Sequence, residues 1–414
     1  MADVLKIGVI GWGCRGRKLG QEMAESTAGK MQAVACVEPD DAAWKLALAE
    51  CPVRPERYTT VTQMMNSEKL DGLLIASSNY VHLKNLLELG DAALPMLLEK
   101  PLDSSLESIF EVVRFREKYS APVMVGHCMR YAPVITAAEK MLRRGDIGNI
   151  CSVRFVQNCH YGNNMFHNWR QLRKYSGTML LEKATHDFDV MLALVGDVPD
   201  AVAAIQKLQA YGGDKSPELR CSKCPEMLTC QESQFNRGDR FGRPELGLEN
   251  MQRVDNDLCV YNLAVDSPDN DHCLINFKGG AFGTYVQWFF SPPNYHHRVY
   301  EIHGTEGAME IDLGTGMGKI KVSPRFGCGY DDTNHQFDYI GRNHYNGDGV
   351  MLRHFMQIIK GEAEPKTTVA QAFASEMLGY AAIQSAESRR FIDPASIVPD
   401  DLKQAYNSNP YRLE

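Results

Sequence analysis

The stretch Lys6-Ile7-Gly8-Val9-Ile10-Gly11-Trp12-Gly13-Cys14-Arg15-Gly16 decides how the first part of this 414-residue chain is read. A short apolar run, Ile7 to Ile10, leads directly into Gly11-x-Gly13-x-x-Gly16. That order predicts a strand, a tight turn and the start of a helix. Gly11 permits the sharp turn, Gly13 lets the backbone approach a pyrophosphate, and Gly16 lets helix and strand pack closely. With Trp12, Cys14 and Arg15 completing the turn, the helix N-terminus offers unpaired N–H groups and a partial positive charge to phosphates. A second apolar run, Met31 to Val37, ends at Glu38, about 20 residues past Gly16. Its carboxylate would accept hydrogen bonds from an adenosine ribose and repel a 2′-phosphate. No Arg follows closely in the sequence, so NAD is favoured over NADP.

Outward from this motif, residues 1–125 alternate short β-like runs with helical stretches. Strands are expected at Lys6–Ile10, Gln32–Val37, Gly72–Ala76, Met96–Leu98 and Val123–Gly126. Such alternation with short links predicts a Rossmann-type, doubly wound parallel sheet in an NAD-binding domain, class α/β. After Tyr131 the pattern changes. Val134–Arg144 reads as an amphipathic helix, and β-rich segments follow at Ile150–Asn158, Asp200–Leu208, Asp271–Phe277, Ala281–Phe289, Val299–Gly304 and Ala308–Asp312. With helices at Thr185–Val195, Val350–Lys360 and Val369–Ser388, residues 126–414 form an expected α+β domain built on a large, open-faced, mostly antiparallel sheet. Residues 212–258 lack periodicity and read as a long excursion that needs something to hold it together.

Composition narrows the partners. A hydrophobic share of 44% and a charged share of 23% are ordinary for a soluble globular protein. The net charge of −8, without a dense Lys/Arg run, argues against nucleic acid. No window approaches 18 uninterrupted apolar residues, so no membrane span is expected. The opening residues read as the first strand and not as a signal peptide, so the 12 cysteines are expected to stay reduced, in the cytoplasm. Their spacing is more telling than their number. Cys221-x-x-Cys224-x5-Cys230 lies in the excursion and Cys259 follows it, the thiol set that a structural tetrahedral zinc requires; unligated reduced thiols are the plainer reading, and an iron–sulfur cluster is a third.

Several further strings carry chemistry. Ser77-Ser78-Asn79-x-x-His82 follows a strand at its carboxyl end, where open α/β sheets bind ligands, although Ser-Ser-Asn also makes an ordinary capping turn. Glu99-Lys100-Pro101 sits at another strand end. Pro101 fixes the local turn, and a cis bond there would aim Lys100 into the cleft. A Lys beside a nicotinamide can hydrogen-bond a reacting hydroxyl and lower its pKa; the bland alternative is a solvated turn. Glu182 and His186, four apart, would share a helix face, the carboxylate fixing the imidazole tautomer and raising its basicity. Lys183 could depress the pKa of His186 or bind an anionic substrate group. If the motif is merely structural, Glu182–His186 supports the helix and Lys183 points to water. Asp187 and Asp189 read as structural partners. His160-Tyr161-Gly-Asn-Asn-Met-Phe-His167-Asn-Trp169-Arg170 reads as a substrate loop in which Trp169 stacks on a sugar and Arg170 grips hydroxyls or an acid. Anchoring of a long loop is the other reading. Tyr131, His344 and Asp348 are further candidates for the pocket.

Taken in order, Gly11–Gly16, Ile75–His82, Glu99–Pro101, Gly126–Tyr131 and Leu181–Asp189 resemble the Gfo/Idh/MocA family of NAD(P)-dependent oxidoreductases over nearly the whole chain. The resemblance implies an active site between the two domains, with Ser77, Ser78, Asn79, His82 and Glu99 around the cofactor. It also implies carbohydrate or cyclitol substrates and a homo-oligomer, dimer or tetramer, through the open sheet face. The chain departs from the family pattern at Ser77-Ser78 (usually Thr-Pro), at Glu182 (usually Asp) and at Lys183. The expected activity is NAD-dependent oxidation of a ring hydroxyl of a sugar, glycoside or cyclitol, with Lys100 polarising the alcohol and His186 accepting its proton. Two alternatives stand beside it: an NAD-dependent glycosidase or lyase working by transient oxidation, elimination and re-reduction, and a non-catalytic NAD-binding regulator.

Overall fold

Apolar strands covered by helices on both faces produce the first layer of the structure, a computed structural model that describes residues 4–411 except 234–256, 293–294, 296–297, 315, 328–330 and 340–342. Its strands are β1 (Leu5–Ile10), β2 (Met31–Val37), β3 (Glu56–Tyr58), β4 (Gly72–Ile75), β5 (Met96–Leu98) and β6 (Val123–Val125). They pair in the order β3-β2-β1-β4-β5-β6, every pairing parallel. β4 and β5 are buried at every residue, as strands covered on both faces must be. The order reverses direction between β1 and β4, so a crevice opens beyond their carboxyl ends, where such sheets take their ligands.

The second sheet contains β7 (Ile150–Asn158), β8 (Pro199–Lys207), β9 (Asn270–Phe277), β10 (Phe282–Trp288), β11 (Arg298–Gly304), β12 (Gly307–Leu313), β13 (Met317–Pro324) and β14 (Thr333–Asp338). Its order is β14-β13-β12-β11-β7-β10-β9-β8, antiparallel except between β7 and β10. Period-two alternation assigns the faces. Asp271, Cys273, Ile275 and Phe277 of β9 point inward, while Leu274, with Ile205 and Phe282 on neighbouring strands, stays exposed on the outer face. The helices Thr185–Val195 and Val369–Ser388 cover the inner face, burying Phe188, Met191, Phe373 and Met377 in one core with Phe155, Tyr285 and Tyr300. A capping box between Thr368 and Gln371 starts the longer helix.

One late element crosses back. The helix Gly347–Ile359 buries Met351, Leu352, Phe355 and Ile358 in a core shared with Ile7 and Val9 of β1 and Leu19 of the helix that follows it. The sequence reading missed β3, β13 and β14. β3 is only three residues long, and β14 (Thr-Asn-His-Gln-Phe-Asp) is almost wholly polar; both are edge strands, where neighbours supply the pairing that periodicity does not announce. The core of the 212–258 excursion, residues 234–256, lies outside the described residues. Among the described residues no helix is long and apolar enough to cross a membrane.

Candidate functional site

The glycine turn is shaped for a phosphate. Gly11 has φ +96, and a Cβ there would lie 2.4 Å from the backbone of Ser77; at Gly16 a Cβ would lie 2.1 Å from the Gly11 carbonyl oxygen. Gly13 differs: a Cβ there meets nothing within 4 Å, so open space faces the backbone at the head of the helix Cys14–Ser26. No side chain caps that helix, leaving its first N–H groups without a side-chain acceptor. Glu38 stands at the end of β2, its Oε1 accepting from Asp40 N at 3.1 Å, and burial raises its pKa. These features fit a dinucleotide.

Other cofactor candidates are less free than expected. Arg15 is held within the protein: Nε donates to Glu99 Oε1 at 2.8 Å, and its two other nitrogens grip Asp348 at 2.9 and 2.8 Å. Trp12 is buried over Gly20. Both ring nitrogens of buried His82 face carbonyl oxygens, of Pro101 at 3.0 Å and Ser77 at 3.1 Å. Ser77 Oγ accepts from Asn85, and Asn79 Nδ2 donates to Glu182 Oε2 at 3.0 Å. Asn79 and His82 therefore brace the cleft wall. Ser78 precedes a short 3₁₀ turn, and Cys14 is exposed at the start of its helix. Arg57, which the sequence reading passed over because it is distant in the chain, arrives beside Glu38 on β3. Its Nε donates to the Glu38 carbonyl, and its Nη2 to the Pro39 carbonyl and to Asp41.

Lys100 and the segment 182–186 meet across the crevice. The Lys100–Pro101 bond is cis, and Lys100 Nζ donates to the main-chain oxygen of Glu182 at 2.6 Å. The expected pairing of Glu182 with His186 is corrected here. One helix ends at Glu182 and the next begins at Thr185, so the spacing of four does not place the two side chains on one face. The Glu182 carboxylate instead accepts from Arg170 Nε at 2.6 Å and from Asn79. Burial opposes its charge, but Arg170 and Lys100 outweigh that and lower its pKa.

His186 is buried, and its Nδ1 has no hydrogen-bond partner among the described residues. Burial and then the ammonium of Lys100 push its pKa well below the usual imidazole value, with His344, Lys183 and His127 adding to the effect. It is therefore neutral near pH 7 and able to accept a proton. His344 stands 5.5 Å away between ring centroids, and its Nδ1 lies 2.9 Å from Asp348 Oδ2. The carboxylate-backed imidazole here is His344. It belongs to a run of three left-handed residues, His344, Tyr345 and Asn346, with φ of 48, 57 and 67. Lys183 rests over the ring of Tyr161 at 5.1 Å, and burial together with Arg298 lowers its pKa to about 8.

The remaining candidates divide. Trp169 carries the Arg170 guanidinium over its ring at 4.3 Å and packs against Tyr80, so the pair is already engaged at the cleft edge. His160 stacks edge-on against Tyr161. Tyr131 is buried, with its hydroxyl 3.3 Å from Thr367 Oγ1, and its aromatic bulk completes the core that the helix Gly347–Ile359 shares with β1. The expected zinc set gains no support. Cys221 Sγ faces His167 Nδ1 at 3.8 Å, and Cys224 and Cys230 act electrostatically on Cys259. Among the described residues, the donor group whose atoms lie within 4.8 Å of one another is elsewhere, at Cys128, His186 and His344. Arg15, Lys100 and Lys183 surround that group, and burial raises the Cys128 pKa, a setting that disfavours a bound cation.

Sequence reasoning missed Arg298. Its Nε lies 2.8 Å from Asp187 Oδ1, and Asp187 also accepts from the hydroxyls of Tyr300 and Tyr285. The signal was present in β11, where alternation puts Arg298 on the same inward face as Tyr300 and Ile302. An inward-facing arginine at a strand start demands a buried carboxylate.

Residues 5–127 match the family described as "Oxidoreductase family, NAD-binding Rossmann fold", and residues 139–394 match "Oxidoreductase family, C-terminal alpha/beta domain". The putative oxidoreductase YteT of Bacillus subtilis is 25% identical over 267 residues, covering 60% of this chain and 61% of that protein. An inositol 2-dehydrogenase of Corynebacterium glutamicum is 29% identical over 199 residues, covering 47% and 56%. The 2,7-anhydro-N-acetylneuraminate hydratase of Mediterraneibacter gnavus is 23% identical over 318 residues, covering 77% and 70%. The chain thus spans about three fifths of the first two proteins. In fold it is similar to levoglucosan dehydrogenase in complex with NADH and levoglucosan, with TM-score 0.74 and 17% identity over 94% of this chain and 99% of that one.

Proposed function

The chain belongs to the Gfo/Idh/MocA oxidoreductase family, and from that premise we propose that it oxidises a ring hydroxyl of a sugar or cyclitol with NAD as hydride acceptor. The observation that carries the reading is Lys100, two residues past β5, donating to the main-chain oxygen of Glu182, four residues before His186, whose imidazole feels the Lys100 charge. Gly11, Gly13, Gly16 and Glu38 would hold the cofactor, whose oxidised nicotinamide supplies the hydride acceptor when bound. Lys100 then hydrogen-bonds the substrate oxygen and stabilises developing negative charge. His186, kept neutral by burial and by neighbouring cations, takes the hydroxyl proton. The carbon gives up its hydride, the oxygen gives up its proton, and a ketone results. Arg170 and Asn79 fix Glu182, whose main-chain oxygen in turn orients Lys100. Relatives named for inositol and levoglucosan support a polyhydroxylated substrate. Lys100→Met tests the reading: NADH formation on such substrates should fall at least a hundredfold while NAD still binds. Unchanged turnover would refute it.

One observation favours a second reading. The His344–Asp348 pair places another oriented base beside His186, and a redox-neutral elimination needs a group to remove a C–H proton after the first oxidation. A relative named as a hydratase points the same way. Cleavage or hydration without net NADH, with solvent deuterium entering the ring, would select it. Steady NADH accumulation would exclude it. Self-association is assigned to the outer face of the second sheet, where Ile205, Leu274 and Phe282 stand exposed.

A further inference from the structure

Charges around the cleft are unevenly matched. Asp187 is paired with Arg298, Glu182 with Arg170, and both Asp348 and Glu99 with Arg15. Every one of these carboxylates has an arginine. Neither ammonium group is ion-paired in return among the described residues. Lys100 Nζ donates to a main-chain oxygen, and Lys183 Nζ rests on the face of Tyr161 without a hydrogen bond, with Asp187 and Glu182 near enough to act on it only through their field. Lys183 is partly accessible, whereas its neighbours Glu182, Ala184 and His186 are buried. A half-desolvated ammonium between two other cations is unfavourable unless an anion arrives.

We propose that Lys183 seats an anionic group of the substrate, and that this group is a carboxylate, so the molecule oxidised is a sugar acid. The inference rests on the oxidoreductase reading and names its substrate class. A carboxylate fits better than a phosphate because only one ammonium is unspoken for at this spot, while each nearby guanidinium is already bonded to a carboxylate. Tyr161, Cys159, Arg298, Lys100, Asp187, Glu182, His186 and His344 are the charged and titratable groups around Lys183. With its pKa lowered to about 8, the ammonium is present at neutral pH and is lost on mild alkalinisation.

The test follows NADH with the full chain and NAD, offering D-glucuronate and D-galacturonate against D-glucose and D-galactose, with glucose 6-phosphate as the phosphate arm. The expected result is a kcat/KM for a hexuronate at least tenfold above its parent hexose. Lys183→Gln should collapse that ratio to about one, mainly through KM, and Lys183→Arg should restore part of it. The acid's kcat/KM should fall above pH 8 relative to the hexose. Equal values for acid and hexose in the wild type, a preference for the phosphate, or a ratio untouched by Lys183→Gln would overturn the proposal. If none of these sugars yields NADH although NAD binds, the oxidoreductase reading fails on this panel. Calorimetric titration of glucuronate into the NAD-bound protein then judges the seat by itself: binding weakened by Lys183→Gln sustains it, and no binding sinks it.

Discussion

Replacing Gly13 with alanine separates the capture of a cofactor from the stability of the fold. Gly13 has φ −69 and ψ −166, a conformation that alanine adopts without strain, and the added methyl meets no atom within 4 Å. By restricting the unfolded chain, the change should alter stability by no more than about 1 kcal/mol, in the favourable direction. The methyl would nevertheless project into the space where the pyrophosphate has to lie against the backbone. At NAD equal to about 100 times the wild-type Kd, binding stabilises the wild type by about 2.7 kcal/mol. A hundredfold loss of affinity leaves ligand and Kd about equal and reduces that gain to roughly 0.4 kcal/mol. Thermal melts with and without NAD read both quantities: Gly13→Ala should match or exceed wild-type Tm alone and lose most of the NAD-induced rise. Gly16→Ala is the contrasting control, since its methyl would lie 2.1 Å from the Gly11 carbonyl oxygen and should lower Tm without any ligand. A wild-type NAD shift in Gly13→Ala would refute the placement of the phosphate; a lowered apo Tm would refute the packing argument.

Other outcomes follow from the same geometry. Arg298→Met strands the Asp187 carboxylate among tyrosine hydroxyls, so urea denaturation should show a loss of about 3–5 kcal/mol with little change in m. Because burial lowers the folded-state pKa of His186, its neutral form persists on acidification, and the acid limb of kcat/KM should lie below the usual histidine value of about 6.5. The same depression means that the unfolded chain takes up a proton first, so stability should fall as pH drops through about 6.5; His186→Asn should flatten that slope. Paired Ile205→Glu and Leu274→Glu changes should reduce the molecular mass seen by light scattering while preserving the circular dichroism spectrum.

Local signals proved most legible where backbone chemistry is demanding. Gly11 and Gly16 could be read because no other residue fits their space, and the parallel sheet of β1, β2, β4, β5 and β6 could be read because short apolar runs alternate with helical stretches over short links. Contacts made at long range were harder to foresee. The guanidinium of Arg15 reaches a carboxylate more than 300 residues later in the chain, and Arg57 returns to Glu38 only because β3 pairs with β2. Spacing misled at Glu182, since a four-residue interval implies a shared face only in an unbroken helix, and the break between Glu182 and Thr185 gave that carboxylate to Arg170. The Cys221–Cys230 knuckle shows the same limit: thiol spacing permits a ligand set but does not by itself establish one.

The grip of Arg15 on Asp348 ties the nucleotide turn directly to the imidazole of His344. A dinucleotide that displaces or tightens this guanidinium would thereby change how firmly the neighbouring base is held, and by thermodynamic reciprocity a sugar ordering His344 would feed back on nucleotide affinity. The two ligands would then bind as a linked pair. Severing the tie with Asp348→Asn should leave two more independent binding events, each blind to whether the other has occurred.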